Sequence, residues 1–186
     1  MKALIHVLFV LSLGFFFATP KTADIYIKQG SEISITGSSN VNCFTCHYTT
    51  EIASGCQQIE YKQNSNTIYL KNAEINLKSK AFDCGGRMIN KDFNTLMESD
   101  KFPHIKIIFE EIIVMENGFE IFAQIEIAQK FNQCSFIIST QNNYNYTGKL
   151  ELNIKDFDME APRKLLGAIK VDPEIIINFD FNLDID

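Results

Sequence analysis

The segment with the clearest chemical potential is Cys43-Phe44-Thr45-Cys46-His47. It matches C-x-x-C-H, the attachment motif of a c-type haem, in which both thiols form thioethers and the histidine binds the iron. A haem site of this kind also needs a helical setting and a second axial ligand. Val41 and three nearby threonines instead favour a strand. A c-type haem protein is therefore the less favoured alternative.

The cysteines allow a different chemistry, disulfide formation. They lie at positions 43, 46, 56, 84 and 134, all beyond the N-terminal segment, so export would permit disulfides. Cys43 and Cys46 are three residues apart, so on a strand they point to opposite faces and need different partners. We predict a disulfide between Cys46 and Cys84. The odd number leaves at least one thiol free or bonded between molecules.

Few residues suggest catalysis. Beyond the N-terminal segment the histidines are His47 and His104, and neither has a carboxylate at metal-motif spacing. No G-x-S-x-G or H-E-x-x-H motif occurs. A zinc site built from Cys43, Cys46 and His47 lacks a fourth ligand nearby. The sequence therefore predicts a protein that is not an enzyme, with no catalytic residue, metal or cofactor.

The N-terminus carries a targeting signal. Lys2 precedes an almost uninterrupted apolar run from Ala3 to Ala18, and polar residues follow. This pattern is typical of a secretory signal peptide. The run falls short of the roughly 20 apolar residues that span a membrane. We expect residues 1–23 to be removed and residues 24–186 to form one periplasmic or secreted domain with no stable membrane span.

Size and charge narrow the class further. A chain of 186 residues suits a single domain with a sizeable core. The net charge of -6 leaves no basic patch to neutralise phosphates, which argues against a nucleic-acid partner.

Alternation of apolar and polar residues dominates the rest of the chain, as in half-buried strands. From Ile175 to Ile185 every second residue is apolar, and Ile176 is the single apolar residue on the other face. Asn117-Gly118 between two such runs predicts a tight hairpin. Eight to ten strands without long intervening helices indicate an all-β antiparallel fold, either a sandwich or an up-and-down barrel.

One helix is predicted in the middle of the chain, from Asp92 to Ser99. Its apolar residues occupy positions i, i+3 and i+4, which places them in one stripe. They are Phe93, Leu96 and Met97. Pro103 prevents continuation of the helix. We interpret the stretch from Ala81 to Phe109 as the cap and hinge of a barrel, and the helix stripe as a gate to its interior.

The same stretch resembles the central signature of the YceI-like family of exported lipid-binding proteins. In that family an N/R-D motif and a short helix lead into a K-Y/F-P-x-I-x-F strand. The matching residues are Asn90-Lys91-Asp92-Phe93, Leu96, Ser99 and Lys101-Phe102-Pro103 with Ile105 and Phe109. The segments Glu32 to Phe44 and Gly148 to Ile177 are similar to the opening and closing strands of the family.

This resemblance implies an antiparallel, lipocalin-like up-and-down β-barrel of about eight strands with a short capping helix. It also implies an elongated apolar cavity that holds an isoprenoid or another long lipid chain. A closed barrel of about eight strands can hold one small ligand. The chain departs from the family between Ile125 and Phe131, where the usual histidine and glycine are missing.

We therefore expect a non-enzymatic extracytoplasmic carrier of a long apolar molecule, as a monomer or a homodimer. Inward-facing apolar residues would bound its cavity. The predicted cavity residues are Ile75, Leu77, Phe93, Leu96, Met97, Phe102, Ile105, Ile107, Phe109, Ile125, Ile127, Phe179 and Phe181. The first alternative is a structural or interaction barrel with a filled interior that recognises a partner through its loops. The second is the haem protein considered above.

Overall fold

The structure is a computed structural model that describes residues 20–52, 55–140, 144–164 and 168–186. Residues 1–19, which hold most of the predicted signal peptide, lie outside the described residues. The first strand begins at Lys21.

The described residues form one 13-stranded antiparallel sheet with a single α-helix and two short 3₁₀ turns. The strands are β1 (Lys21–Ile27), β2 (Glu32–Ser39), β3 (Cys43–Tyr48), β4 (Cys56–Asn64), β5 (Thr67–Lys71), β6 (Glu74–Lys78), β7 (Phe82–Asp83), β8 (His104–Met115), β9 (Gly118–Ile127), β10 (Lys130–Thr140), β11 (Asn145–Asn153), β12 (Arg163–Lys164) and β13 (Ile169–Ile185). The helix α1 spans Arg87–Leu96, and the 3₁₀ turns span Ser79–Ala81 and Ile154–Phe157.

Eight of these strands close into a ring in the order β1-β4-β5-β8-β9-β10-β11-β13. The ring closes because β13 returns to pair with β1, with Ile25 opposite Ile185 and Ile27 opposite Leu183. In a closed ring, each of these strands has a hydrogen-bonded neighbour on both sides over at least part of its length. The predicted all-β, lipocalin-like barrel is confirmed.

Two long strands, β8 and β13, run through both halves of this barrel and pair with a different neighbour in each half. β13 pairs with β1 through residues 183–185 and with β2 through residues 171–180. Likewise, β8 pairs with β5 through residues 111–113 and with β6 through residues 104–108. One half of the barrel is therefore walled by β1, β4 and β5, and the other half by β2, β3, β6 and β7.

On each strand of the barrel, the residues that face the interior are mostly the apolar ones. On β9 four inward residues are buried, namely Ile121, Ala123, Ile125 and Ile127, and the inward Phe119 beside the hairpin is half-buried. On β8 the inward positions change phase between Phe109 and Glu111, where the register with β9 shifts. A bulge places two residues opposite one, so Ile107, Phe109 and Ile112 all face inward despite their uneven spacing.

The helix lies earlier in the chain than the sequence predicts. It begins at Arg87, five residues before Asp92, and Gly86 is its N-cap residue. Asn90 does not cap the helix, because its side chain reaches back to the preceding loop. The Cys84 N–H donates to Asn90 Oδ1 at 2.7 Å. The helix ends at Leu96, before Glu98 adopts a left-handed φ of 48°.

Candidate apolar binding cavity

An internal cavity of about 280 Å³ lies in the half of the barrel walled by β1, β4 and β5. Its wall is almost entirely aliphatic and aromatic. The lining residues are Ile25, Ile27, Gln57, Ile59, Ile68, Leu70, Ala73, Ile75, Phe109, Ile112, Phe119, Ile121, Phe136, Ile138, Tyr146, Phe179, Phe181, Leu183 and Ile185. Since apolar cavities of this kind stay dry, the space suits an apolar ligand better than water.

Exposure along β13 shows which way the cavity opens. Phe179 and Phe181 are 3% and 5% exposed, Leu183 is half-buried, and Ile185 is 52% exposed. All four residues line the cavity. The mouth therefore lies at the end of the barrel where β13 finishes, beside the β4–β5 and β8–β9 hairpins.

Two stacked aromatic rings form the deep end. The ring centroids of Phe136 and Phe179 are 5.1 Å apart, with an angle of 16° between the ring planes. Phe181 packs against Phe179 with its ring tilted, at 5.9 Å. Beyond this pair the other half of the barrel is filled with side chains that are almost fully buried. They include Ile33, Leu77, Ile107, Ile125 and Phe157.

Only two lining residues carry a side-chain polar group, and no lining residue is charged. The Gln57 Nε2 is occupied, because it donates to Asn72 O at 3.1 Å and Glu74 O at 3.0 Å across the break between β5 and β6. The Tyr146 hydroxyl makes no hydrogen bond to another described residue. The Tyr146 hydroxyl and the Gln57 Oε1 are therefore the polar groups of the wall that remain for a ligand.

The predicted cavity residues divide between the two halves. Four of them line the cavity: Ile75, Phe109, Phe179 and Phe181. Most of the others are buried in the filled half and do not reach the cavity wall, namely Leu77, Phe93, Met97, Ile105, Ile107, Ile125 and Ile127. Phe102 is half-buried, with the Lys101 ammonium 4.6 Å from the centre of its ring.

No residue of α1 lines the cavity, so the structure does not place the predicted gate there. The helix covers the filled half, where Phe93 packs against Phe82 with ring centroids 5.3 Å apart. Phe93 and Leu96 instead line a separate surface groove of about 700 Å³ between α1 and β3. The apolar stripe is real, but it serves packing at the other end of the barrel from the cavity.

Sequence reasoning missed the wall contributed by β1, β4 and β5. The alternation of Ile25 with Ile27, and of Ile68 with Leu70, is visible in the sequence. It shows which residues face inward, but not which half of the barrel is filled. That difference arises from long-range pairing, because β1 and β2 pair with different segments of β13.

The cysteines settle the haem alternative. Cys46 is bonded to Cys84, as predicted, and the bond joins β3 to the loop before α1. Because that sulfur is already bonded, it cannot form the second thioether that the C-x-x-C-H motif requires. The haem alternative is therefore wrong for this structure. Cys43 and Cys56 are exposed free thiols, and Cys134 is half-buried.

Other site chemistry is limited in the described part of the chain. Its histidines, cysteines and carboxylates form no group of three or more that could hold a metal ion. No helix within it has the length and apolar character needed to cross a membrane.

The barrel and its cavity define a class of extended β-barrel with an apolar interior, and solved structures share this architecture. BcnA from Burkholderia cenocepacia matches with a TM-score of 0.60 at 15% identity, over 83% of this chain and 96% of BcnA. A polyisoprenoid-binding domain from Saccharophagus degradans matches with a TM-score of 0.53 at 8% identity, over 87% and 97% of the two chains.

The YceI protein of Campylobacter jejuni also matches, with a TM-score of 0.51 at 7% identity, over 69% of this chain and 80% of that one. No protein-family model and no curated protein matches the sequence. The structural neighbours are YceI-like proteins, and the fold of this chain is therefore the YceI-like fold.

Proposed function

We propose that this protein is a non-enzymatic, extracytoplasmic binding protein that holds an isoprenoid or another long apolar chain in its barrel cavity. The observation that carries the proposal is the cavity of about 280 Å³ with an uncharged, almost wholly apolar wall and an opening at one end of the barrel. The polyisoprenoid-binding domain of Saccharophagus degradans, which shares the fold, supports it.

The wall predicts how such a ligand is held. Each CH₂ group removed from water contributes about 0.8 kcal/mol, without any directional requirement. The Tyr146 hydroxyl and the Gln57 Oε1 are the polar groups that can hydrogen-bond to the ligand. Binding then depends on the length and shape of the chain more than on its chemical detail.

The cysteine chemistry supports the proposed location outside the cytoplasm. Disulfides form and persist in oxidising compartments, and Cys46–Cys84 is such a bond. The apolar segment from Ala3 to Ala18 fits the same route as a signal peptide.

A fluorescent apolar probe, titrated into the purified protein, tests the proposal. We expect saturable binding, which Ala73→Leu weakens because it adds three carbon atoms at a buried position of the cavity wall. Ala161→Leu is the matched control, since Ala161 lies outside the cavity wall. Absence of saturable binding, or equal binding by Ala73→Leu, would count against the cavity as the site.

Native mass spectrometry of the gently purified protein gives independent information. The expected result is a bound apolar molecule that organic solvent extracts. The alternative function, an interaction module with a filled interior, predicts neither bound lipid nor probe binding. The unfilled half of the barrel favours the carrier over that alternative.

A further inference from the structure

We propose that the cavity encloses only about ten carbon atoms of an uncharged chain, and that the Phe136–Phe179 pair sets this limit. The inference rests on the proposed function and specifies the ligand of the same cavity. A longer chain would bind through its end, with the remainder outside the barrel.

The first argument is volume. An apolar cavity of roughly 150 Å³ binds benzene, which corresponds to about 25 Å³ for each carbon atom. On that scale, the cavity of about 280 Å³ accommodates about ten carbon atoms. Two isoprene units, or a linear chain of about ten carbons, fill it.

The second argument is that the deep end of the cavity, called the floor here, lies at about the same level on three strands. On β13, Phe179 lines the cavity and Ile177, the next inward residue, does not. On β9, Ile121 lines it and Ala123 does not. On β8, Phe109, the partner of Ala123, is the last lining residue. The cavity therefore ends at a floor on these three strands, and it reaches one inward residue deeper only on β6, where Ile75, the partner of Ile107, still lines it.

The floor is made of side chains with little room to move. Phe136 and Phe179 are stacked and buried. Behind them, Ala123 and Ile125 have no exposed surface. Since protein interiors are close-packed, opening a path into the filled half would require several buried side chains to move together. The aromatic pair therefore stops an entering chain.

The third argument concerns charge. A charged ligand group inside the cavity would need a partner, because burying an unpaired charge is costly. No lining residue is charged, and Asp184 and Asp186 flank Ile185 at the mouth. The nearby Lys28 ammonium is paired with Asp184 at 2.8 Å. The wall thus favours a neutral chain whose hydroxyl can reach Tyr146, over a carboxylate or phosphate.

A series of linear primary alcohols from hexanol to hexadecanol tests the length limit on the unmodified protein, by displacement of the fluorescent probe. We expect affinity to rise about fourfold for each added CH₂ group and to level off near ten carbons. A rise that continues unchanged to hexadecanol would overturn the inference and leave the proposed function standing. If no alcohol displaces the probe, the proposed function itself fails.

Decanoate at neutral pH tests the charge preference against decanol. The expected result is at least tenfold weaker binding of decanoate. Equal or tighter binding of decanoate would overturn the assignment of a neutral ligand, whatever the chain-length profile shows.

Phe179→Leu tests the role of the floor. This substitution removes about three carbon atoms from the deep end, so the plateau should move to longer alcohols by up to about three carbons. Phe93→Leu is the matched control in the filled half and should leave the plateau unchanged. Phe136→Leu provides a second test should Phe179→Leu fail to fold. A plateau that no floor variant moves would refute the role of the aromatic pair.

Discussion

The Asn90 side chain orders the loop that precedes α1, a contact that the sequence pattern of the helix does not indicate. Its Oδ1 accepts the Cys84 N–H, and its Nδ2 donates to Asp83 Oδ1 at 2.9 Å. Asp83 Oδ1 also accepts the Gly85 N–H at 3.0 Å. These bonds order the loop between β7 and α1, and they hold Cys84 where it reaches Cys46.

The hydrogen bond from Asn90, followed by that from Gly85 and the charge of His47, lowers the pKa of Asp83. A lowered pKa in the folded state means that this group stabilises the fold fully above the ordinary pKa of aspartate. The contribution is lost as the pH falls through the lowered value. Asn90→Ala should therefore raise the pKa of Asp83 toward its ordinary value, as an NMR titration of that carboxyl can show.

The same substitution should lower the free energy of unfolding by about 1–2 kcal/mol at neutral pH, because the Cys84 N–H loses its acceptor. Asn76→Ala is the control, since that exposed side chain donates only to Glu74. An unchanged Asp83 titration in Asn90→Ala would show that Asn90 does not control this carboxyl.

The three free cysteines should react at very different rates. Burial, with a smaller effect of Glu110, raises the pKa of the Cys134 thiol to about 11. The reactive species is the thiolate, so Cys134 stays unreactive at pH 8. Alkylation of the native protein followed by peptide mass spectrometry should label the exposed Cys43 and Cys56 first. Labelling of Cys134 at the same rate as Cys56 would contradict the raised pKa of the half-buried Cys134 thiol.

At the scale of elements, the disulfide ties β3 to the segment that carries α1. The two cysteines are separated by 38 residues, and closing a loop of this size stabilises a fold by about 4 kcal/mol on the chain-entropy model. The double variant Cys46→Ala, Cys84→Ala should lose up to this amount in urea unfolding. The matched control is Cys43→Ala on the same strand, which should change the stability little.

The strands were predictable to the extent that local alternation defines them. Ile175 to Ile185 appear in the sequence as one alternating strand, and they lie on β13. The phase change at Phe109 was not predictable, because a bulge depends on the partner strand. The helix boundary was misplaced for a related reason, since Asn90 bonds to the chain before the helix.

The cavity illustrates the limit of pattern reasoning for a binding site. Ile107 and Ile121 have the same side chain and both face inward, yet only Ile121 lines the cavity. The sequence identifies both as interior residues. Whether an interior position is filled depends on the sizes of several side chains from distant strands, which no local pattern records.

At the scale of the whole molecule, the two halves of the barrel should differ in their response to truncation. Ile107 is 1% exposed within the filled half, and Ile121 is 5% exposed at the cavity wall. Ile107→Ala should cost about 3–5 kcal/mol, and Ile121→Ala about 2 kcal/mol, because the cavity-wall side chain has fewer packed neighbours to lose. Chemical denaturation measures both, and equal costs would argue that the halves are packed alike.

The long strand β13 has a consequence for how the chain is made. Its 17 residues pair with β11, β2 and β1, and the Ile25–Ile185 pair joins positions 160 residues apart. Contacts so distant along the chain form late and slowly, because a large loop must close first. The barrel cannot shut until β13 has left the ribosome. A chain that still lacks β13 therefore has no closed barrel, and β1, β2 and β11 each keep an unpaired edge until that strand is made.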